Sequence, residues 1–272
     1  MLIDKLKYKN SLADLWHTVF GDSYDYINLI FKPEYTKDIL CFAELDGEKA
    51  VSAFYLIRNT LRFDNKFYNG YYLYAAATLP EYRKGGIMSE LIRKAQVFCK
   101  EKGDAFISLV PSEESLYSYY SRFGFRDAMY CCKGTYKALE SNEATLSLND
   151  MSALEKIRQS FDGNLFFTTG DAFGYCRDCL ENAEISFARL SDESGILYSD
   201  EERLVLEFIS PKTDIGSLKN NLPCGEWEIN SPYELPFCED NKKVRYGMLY
   251  PVSDELRRDW QYTDIYMNIA LD

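Results

Sequence analysis

The stretch ATLPEYRKGGIMSELI, residues 77–92, decides the fold. A β-prone run over residues 71–79 stops at Pro80, a basic turn follows at Arg83 and Lys84, and the pair Gly85-Gly86 opens a helix. Ile87, Leu91, Ile92, Ala95, Phe98 and Cys99 recur with the 3.6-residue period, which predicts a helix to about Lys102, stopped by Gly103. Unpaired N–H groups at a helix start, the positive end of its dipole and neighbouring Arg and Lys side chains together bind phosphate oxygens. Arg83, Lys84, Gly85, Gly86, Ile87, Met88 and Ser89 supply all three elements. Glycine suits such a turn because a Cβ would hold the main chain off a diphosphate or forbid a positive φ. The pattern is neither GxxxxGK[ST] nor GxGxxG, so nucleoside-triphosphate and dinucleotide sites lose weight.

Working outward, residues 2–9 alternate as a short strand and Asn10-Ser11 reads as the cap of a helix burying Leu12, Leu15, Trp16, Val19 and Phe20. A second helix is expected over residues 23–31. Strand-like runs at 39–45, 50–59 and 61–63 continue past a turn at Asp64-Asn65, giving an antiparallel meander that leads into 71–79. Downstream come a strand at 106–110, a helix at 115–123 and a strand at 129–136. Residues 138–143 read as a linker. The second half opens as the first does, LNDMSALEKI beside YKNSLADLW, with a strand at 144–148, a cap at 150–152 and a helix burying Leu154, Ile157 and Phe161. Further strands are predicted at 185–190, 195–198, 204–209, 227–229, 247–251 and 262–271, with a helical piece at 217–221. The expectation is an α+β protein of two fused domains, 1–140 and 141–272, each a mixed, mostly antiparallel sheet flanked by helices.

At 272 residues two domains are the natural division, and 46% hydrophobic with 15% aromatic residues is ample core material. The net charge of -12, with no basic tract, disfavours a nucleic-acid partner and suits a cationic small substrate. No apolar run spans a bilayer and the N-terminus lacks an apolar signal region, so no membrane partner and a cytoplasmic location are expected. The eight cysteines read as reduced thiols. Cys176 and Cys179 form a lone CxxC, read as two thiols on a helix, and no metal is expected. His17, the only histidine, falls on the amphipathic pattern of the first helix, which leaves little room for Ser-His-Asp or Cys-His catalysis.

Residues 77–92 resemble the motif of the GNAT superfamily of N-acetyltransferases, in which a strand and Pro lead into R-x-x-G-x-G/A, here Arg83-x-x-Gly86-x-Met88. LYSYYSRFGF, residues 116–125, resembles that superfamily's Y-x-x-x-G-F, placing Tyr120 ahead of Gly124-Phe125. Met88 departs from the usual Gly or Ala; the enhanced-intracellular-survival type, which joins tandem GNAT-like domains, is similar in allowing an aliphatic residue there and in its Y-x-R-F-G-aromatic signature. The chain would be a shorter relative of that type. The resemblance implies acetyl-CoA as co-substrate, with Ala76, Ala77 and Thr78 offering backbone groups to the pantetheine arm. It further implies that Lys84 through Ser89 hold the pyrophosphate with Arg83 beside it, and that Ser112 and Glu113 lie near the coenzyme's far side. Residues 144–272 resemble the non-catalytic GNAT-like domain of such proteins; SPKTDIGSL, residues 210–218, has no Arg-x-x-Gly, so no coenzyme is expected there.

Tyr120 is the implied general acid. A thiolate of pKa roughly 8.5 leaves when an amine attacks a thioester, and a phenol near 10 can donate a hydrogen bond to it. A tyrosine on an amphipathic helix is otherwise core material, and Tyr117 and Tyr119 are its local competitors. No base is evident in the motif. In the similar multidomain proteins the terminal carboxylate reaches the active site, which makes that of Asp272 a candidate, with Glu113 a second. The expected activity is acetyl transfer to an amine of a small molecule or peptide by direct attack in a ternary complex, in a chain that could oligomerise. The competing classes are an acyl-CoA sensor without turnover, which would be indifferent to Tyr120→Phe, and an aminoacyl transferase, which needs a basic surface this chain lacks.

Overall fold

The computed structural model describes residues 1–139, 146, 151–261 and 263–266. Strands β2 (Ile39–Asp46), β3 (Lys49–Phe63) and β4 (Lys66–Thr78) form the antiparallel meander. Asp64 and Asn65 both adopt positive φ, 47° and 62°, which two-residue hairpins require and Asp and Asn tolerate. That turn merges the runs at 50–59 and 61–63 into one 15-residue strand and starts the next at Lys66 rather than Tyr71. Strand β1 is only Leu2–Ile3, because the Asp4 side chain accepts the Leu6 amide at 2.9 Å and turns the chain. Helix α1 (Lys9–Phe20) begins one residue before the expected cap. Its Ser11 hydroxyl instead accepts the Ala50 amide of β3 at 2.7 Å. Ser23 does cap α2 (Tyr24–Asn28), accepting the Tyr26 amide, and a 3₁₀ turn over Leu29–Phe31 completes that segment.

Helix α3 (Ile87–Lys102) connects β4 to the parallel strand β5 (Phe106–Leu109), and Gly103 at φ 76° ends it. Helix α4 (Glu114–Ser121) and strand β6 (Arg126–Ala138) follow. The second half contains α5 (Ser152–Ser160), β7 (Leu165–Phe167), α6 (Gly170–Asn182), β8 (Ser186–Arg189), β9 (Gly195–Ser199) and β10 (Leu204–Ile209). It continues with α7 (Gly216–Asn221), β11 (Gly225–Ser231), β12 (Glu239–Pro251) and α8 (Asp254–Asp259). Antiparallel β8-β9-β10, then α7, then β11 parallel to β10, repeats the pairing of β2-β3-β4, α3 and β5. The sequence echo is thus matched in topology. Strand β7, most of β12 and helix α8 were not anticipated as elements, and of α6 only the turn carrying Cys176 and Cys179 was read as helical. The expected linker beyond residue 139, the strand at 144–148, the cap at 150, most of the strand at 262–271, and Asp272 lie outside the described residues.

All strands join one sheet in the order β1-β2-β3-β4-β5-β12-β6-β11-β10-β9-β8, with β7 beside β3. The two halves exchange strands at its centre. β12, from the second half, runs antiparallel to β5; β6, from the first, runs antiparallel to β11; and the two pair with each other. On one face Trp16, Tyr55, Tyr72, Tyr74, Tyr175 and Cys179 pack under α1, α2 and α6. On the other, Leu91, Ile92, Cys99, Ile107, Tyr120 and Phe125 pack under α3 and α4.

Within the second half one polar pair is fully enclosed. Arg158 of α5 donates from Nε and Nη2 to Glu207 Oε2 of β10 at 3.0 and 2.6 Å, with side chains 3% and 0% exposed. Burial pushes the Glu207 carboxyl up from its ordinary range while Arg158 opposes that shift. Breaking such a pair leaves an uncompensated charge at about 3–5 kcal/mol, whereas apolar replacement of both partners is often neutral. Urea unfolding should therefore show Glu207→Leu strongly destabilised and the double variant Arg158→Met, Glu207→Leu largely restored.

Candidate functional site

The site is built where two parallel strands part. β4 and β5 pair only through Gly70 with Phe106, Tyr71 with Ile107 and Tyr72 with Ser108. At the base of this wedge a Cβ on Gly70 would stand 2.4 Å from the Phe106 carbonyl oxygen, so glycine alone permits the approach. Above it β4 bulges. Ala53 pairs with Ala77 and Tyr55 with Tyr74, leaving Ala75 and Ala76 opposite Phe54 alone, with Ala75 at φ 50°. The Leu79 amide bonds the Val51 carbonyl of β3, and strand alternation then directs the main-chain groups of Ala77 to β3 as well. By the same alternation Thr78 turns its groups toward the open side, where β5 no longer runs alongside, and Ala76 lies in the bulge itself. Of the three residues assigned to the pantetheine arm, Ala77 is the one committed to the sheet.

The turn into α3 is shaped by two left-handed residues, Lys84 at φ 67° and Gly86 at φ 79°, with Gly85 between them outside that region. Such alternation points successive amides inward as an anion-binding nest. Gly86 is the N-cap and offers no side chain, so the first-turn amides of Ile87, Met88 and Ser89 have no partner within the helix. A Cβ at Gly86 would meet nothing within 4 Å. Its glycine is therefore a conformational requirement and leaves open room over the amides. Arg83 and Lys84 are exposed and make no ion pair among the described residues; Arg83 Nε donates to the Thr78 carbonyl at 3.0 Å. Met88 is half-buried against the α3 and α4 core, which is how the turn accommodates a side chain there.

Helix α4 lies against this turn. The Tyr119 hydroxyl is 3.3 Å from Ser89 Oγ in the first turn of α3. Tyr120 is 6% exposed and sits edge-on to Tyr119 and to Phe125, with ring centroids 5.2 and 5.9 Å away. Ser112 and Glu113 are exposed in the turn between β5 and α4, and the Ser115 hydroxyl donates to the Glu113 carboxylate. Glu113 is thus at the mouth of the wedge. His17 is exposed and stacks on Tyr24, remote from this arrangement in chain and face. Cys99 is fully buried on α3, and burial pushes its thiol up to about 12. All eight cysteines are free, and among the described residues no cluster of three or more His, Cys, Asp or Glu could hold a metal. No helix among those residues is long and apolar enough to cross a membrane.

Two features of the site escaped the sequence. Ala75 begins a run of three alanines, which carries no period to mark a bulge; the break in aromatic alternation after Tyr72 and Tyr74 was the available signal. Arg245 of β12 bonds Glu114 and lies over the Tyr117 ring, both on α4. Nothing local in residues 239–246 announces that partner.

The family model described as "Acetyltransferase (GNAT) domain" matches residues 5–128. No curated protein shows significant sequence similarity to the chain. Among solved structures, a probable N-acyltransferase from Enterococcus faecalis V583 superposes with TM-score 0.73 at 14% identity, covering 93% of this chain and 72% of that one. A GCN5-related N-acetyltransferase from Kribbella flavida gives 0.69 at 13%, with coverages of 93% and 72%. Eis1 from Mycobacterium abscessus gives 0.68 at 11%, with coverages of 92% and 72%. At such identities these likenesses speak for the fold. Residues 5–128, which hold the wedge, the bulge and the turn into α3, match a GNAT acetyltransferase domain, and this supports an acyltransferase.

Proposed function

We propose that the protein is an acetyl-CoA-dependent N-acetyltransferase that acylates an amine of a small molecule or peptide by direct attack within a ternary complex. The observation that carries this reading is the nest of Lys84, Gly85 and Gly86 at the uncapped start of α3, set beside the open, bulged side of β4. Acetyl-CoA, when bound, supplies the activated thioester. The amides from Gly85 to Ser89 hold its diphosphate with Arg83 and Lys84 alongside. Ala76 and Thr78 take the pantetheine arm as an added strand, and the wedge directs the thioester toward the bulge. Ser112 and Glu113 border the far side. Tyr120 donates a hydrogen bond to the departing sulfur. Of the two carboxylates considered as general base, Glu113 is the one within the described residues, exposed ahead of α4. A direct route is favoured over an acyl-cysteine because the thiol on α3, buried and with its pKa pushed up to about 12, yields little thiolate at neutral pH.

In the same reading residues 1–140 form the catalytic domain and 141–272 a GNAT-like domain without a coenzyme site, which walls the acceptor cleft. Its counterpart of α3 is α7, six residues long, and no residue from Ser210 to Ser217 adopts a positive φ. The turn is closed by Asp214, whose carboxylate accepts from the Ser191 and Ser194 hydroxyls at 2.5 and 2.7 Å. A carboxylate in that place repels a phosphate.

Free-thiol release from acetyl-CoA against a panel of polyamines, aminoglycosides, amino-sugars and peptides should reveal turnover. Tyr120→Phe should lower kcat on the order of 10²-fold, with coenzyme A binding retained. An unchanged rate in that variant would remove Tyr120 from the reaction, and no turnover on any amine with coenzyme A still bound would turn the reading toward a coenzyme sensor.

Gly86→Ala forces an L-residue to φ 79° at roughly 1–2 kcal/mol. Because no atom obstructs the methyl group, the variant should fold with a lowered urea midpoint and weaker coenzyme A binding by calorimetry. Wild-type affinity in it would remove the nest from the site.

A further inference from the structure

We infer that Arg245 is a positioning residue for acyl transfer, supplied by the second half of the chain to hold the tyrosine-bearing helix α4 against the nest. The inference rests on the acetyl-transfer reading above. Arg245 lies on β12, opposite Tyr130 of β6, where the ladder slips: the next paired residue is Gly247, opposite Met129, and Tyr246 is extra. A bulge of this kind re-aims side chains and carbonyls away from the flat sheet. Here both residues beside the slip reach the same helix. The Arg245 guanidinium bonds the Glu114 carboxylate in the first turn of α4 and lies 3.7 Å from the Tyr117 ring centroid. The Tyr117 hydroxyl donates to the Tyr246 carbonyl at 3.1 Å. A third leg, Arg245 Nη1 to Asp127 Oδ2 at 3.0 Å, fixes the guanidinium to β6. Gly247 makes this slip possible, since a Cβ there would meet Met129 Sδ at 2.6 Å and the Leu109 carbonyl at 2.8 Å.

The helix needs such a hold. With eight residues α4 is too short to persist unaided, and Glu113 at its N-cap makes no side-chain cap bond. Its C-terminal half is secured by burial of Tyr120 and by ring contacts of Tyr119 with Phe123 and of Tyr120 with Phe125. Its N-terminal half meets β12. Glu114 is 83% exposed, so the ion pair adds little to global stability. What Arg245 adds is direction: a planar fork that meets two carboxylates while stacking on a ring, which lysine reproduces only in part.

The test compares wild type, Arg245→Ala, Arg245→Lys and Glu114→Gln by thiol-release kinetics, thermal unfolding and amide hydrogen exchange over residues 114–121. Arg245→Ala should lower kcat about 10-fold while the KM for acetyl-CoA moves by less than about twofold. Exchange in α4 should quicken, the melting temperature should stay close to wild type, Arg245→Lys should recover part of the rate, and Glu114→Gln should fall the same way by less. A wild-type kcat in Arg245→Ala, or unaltered exchange in α4, overturns the inference, as does a rate loss that follows melting temperature alone. Should Arg245→Ala fail to fold, the exposed Glu114→Gln variant decides by the same two readouts. Absence of turnover in wild type would sink the acyl-transfer reading together with this one, whereas an active wild type with an undiminished Arg245→Ala rate sinks this one alone.

Discussion

The antiparallel pairing of β6 with β12 is the constraint from which the remaining architecture follows. β5 has four residues and touches β4 through three pairs, so on its own it would be a weakly held edge. β12 covers that edge and β6 covers β12. β6 in turn pairs with β11 of the other half, so the sheet passes from one half to the other through these two exchanged strands. Other contacts tie the halves further: Lys32 and Tyr35 bond Asp178, Lys66 and Tyr68 bond Asp259, and Arg62 donates to the Gln159 carbonyl at the end of α5. The wedge that opens the site is thereby fixed from outside the GNAT domain.

Two of the strained backbone positions flank this wedge. Ala75 and Lys84 are non-glycine residues in the left-handed region, each at a cost of roughly 1–2 kcal/mol. One shapes the bulge of β4 and the other the turn into α3. Positive φ elsewhere falls mostly in tight turns, where Asp64 and Asn65 are suited to it. Residues held in sparsely populated conformations persist only where the surroundings over-determine them. β3 on one side and the docked helix α3 on the other do so here.

Where structure is dictated locally, the sequence is readable. The basic turn, the glycine pair, the 3.6-residue period and Gly103 all lie within twenty-odd residues, and α3 appears as expected with its glycine cap. The hairpin at Asp64-Asn65 is equally local. By contrast β12 begins EDNKKVRY, whose polar residues resemble a loop, and its partners lie more than a hundred residues away. Helix α6 carries Gly170 and Gly174, which weaken its propensity; Gly174 is there because the Tyr35 ring comes within 3.2 Å of where a Cβ would sit. Strand β7 is three residues long and exists because β3 offers it a ladder. The turn and helix at residues 83–103 were therefore legible, while the placement of α4 by Arg245 was not, since it depends on a bulge between strands from different halves.

The exchanged strand also sets the order in which the molecule is completed during synthesis. Leu109 leaves the ribosome well before Glu239, and at about 5–20 residues per second the interval between them is on the order of ten seconds. For that interval the nascent N-terminal portion has its meander and its long helix, yet β5 lacks its neighbour and α4 lacks Arg245. The turn at Lys84 to Gly86 is encoded early and α4 is seated late, so a chain arrested before residue 239 would carry that loop without the helix docked against it.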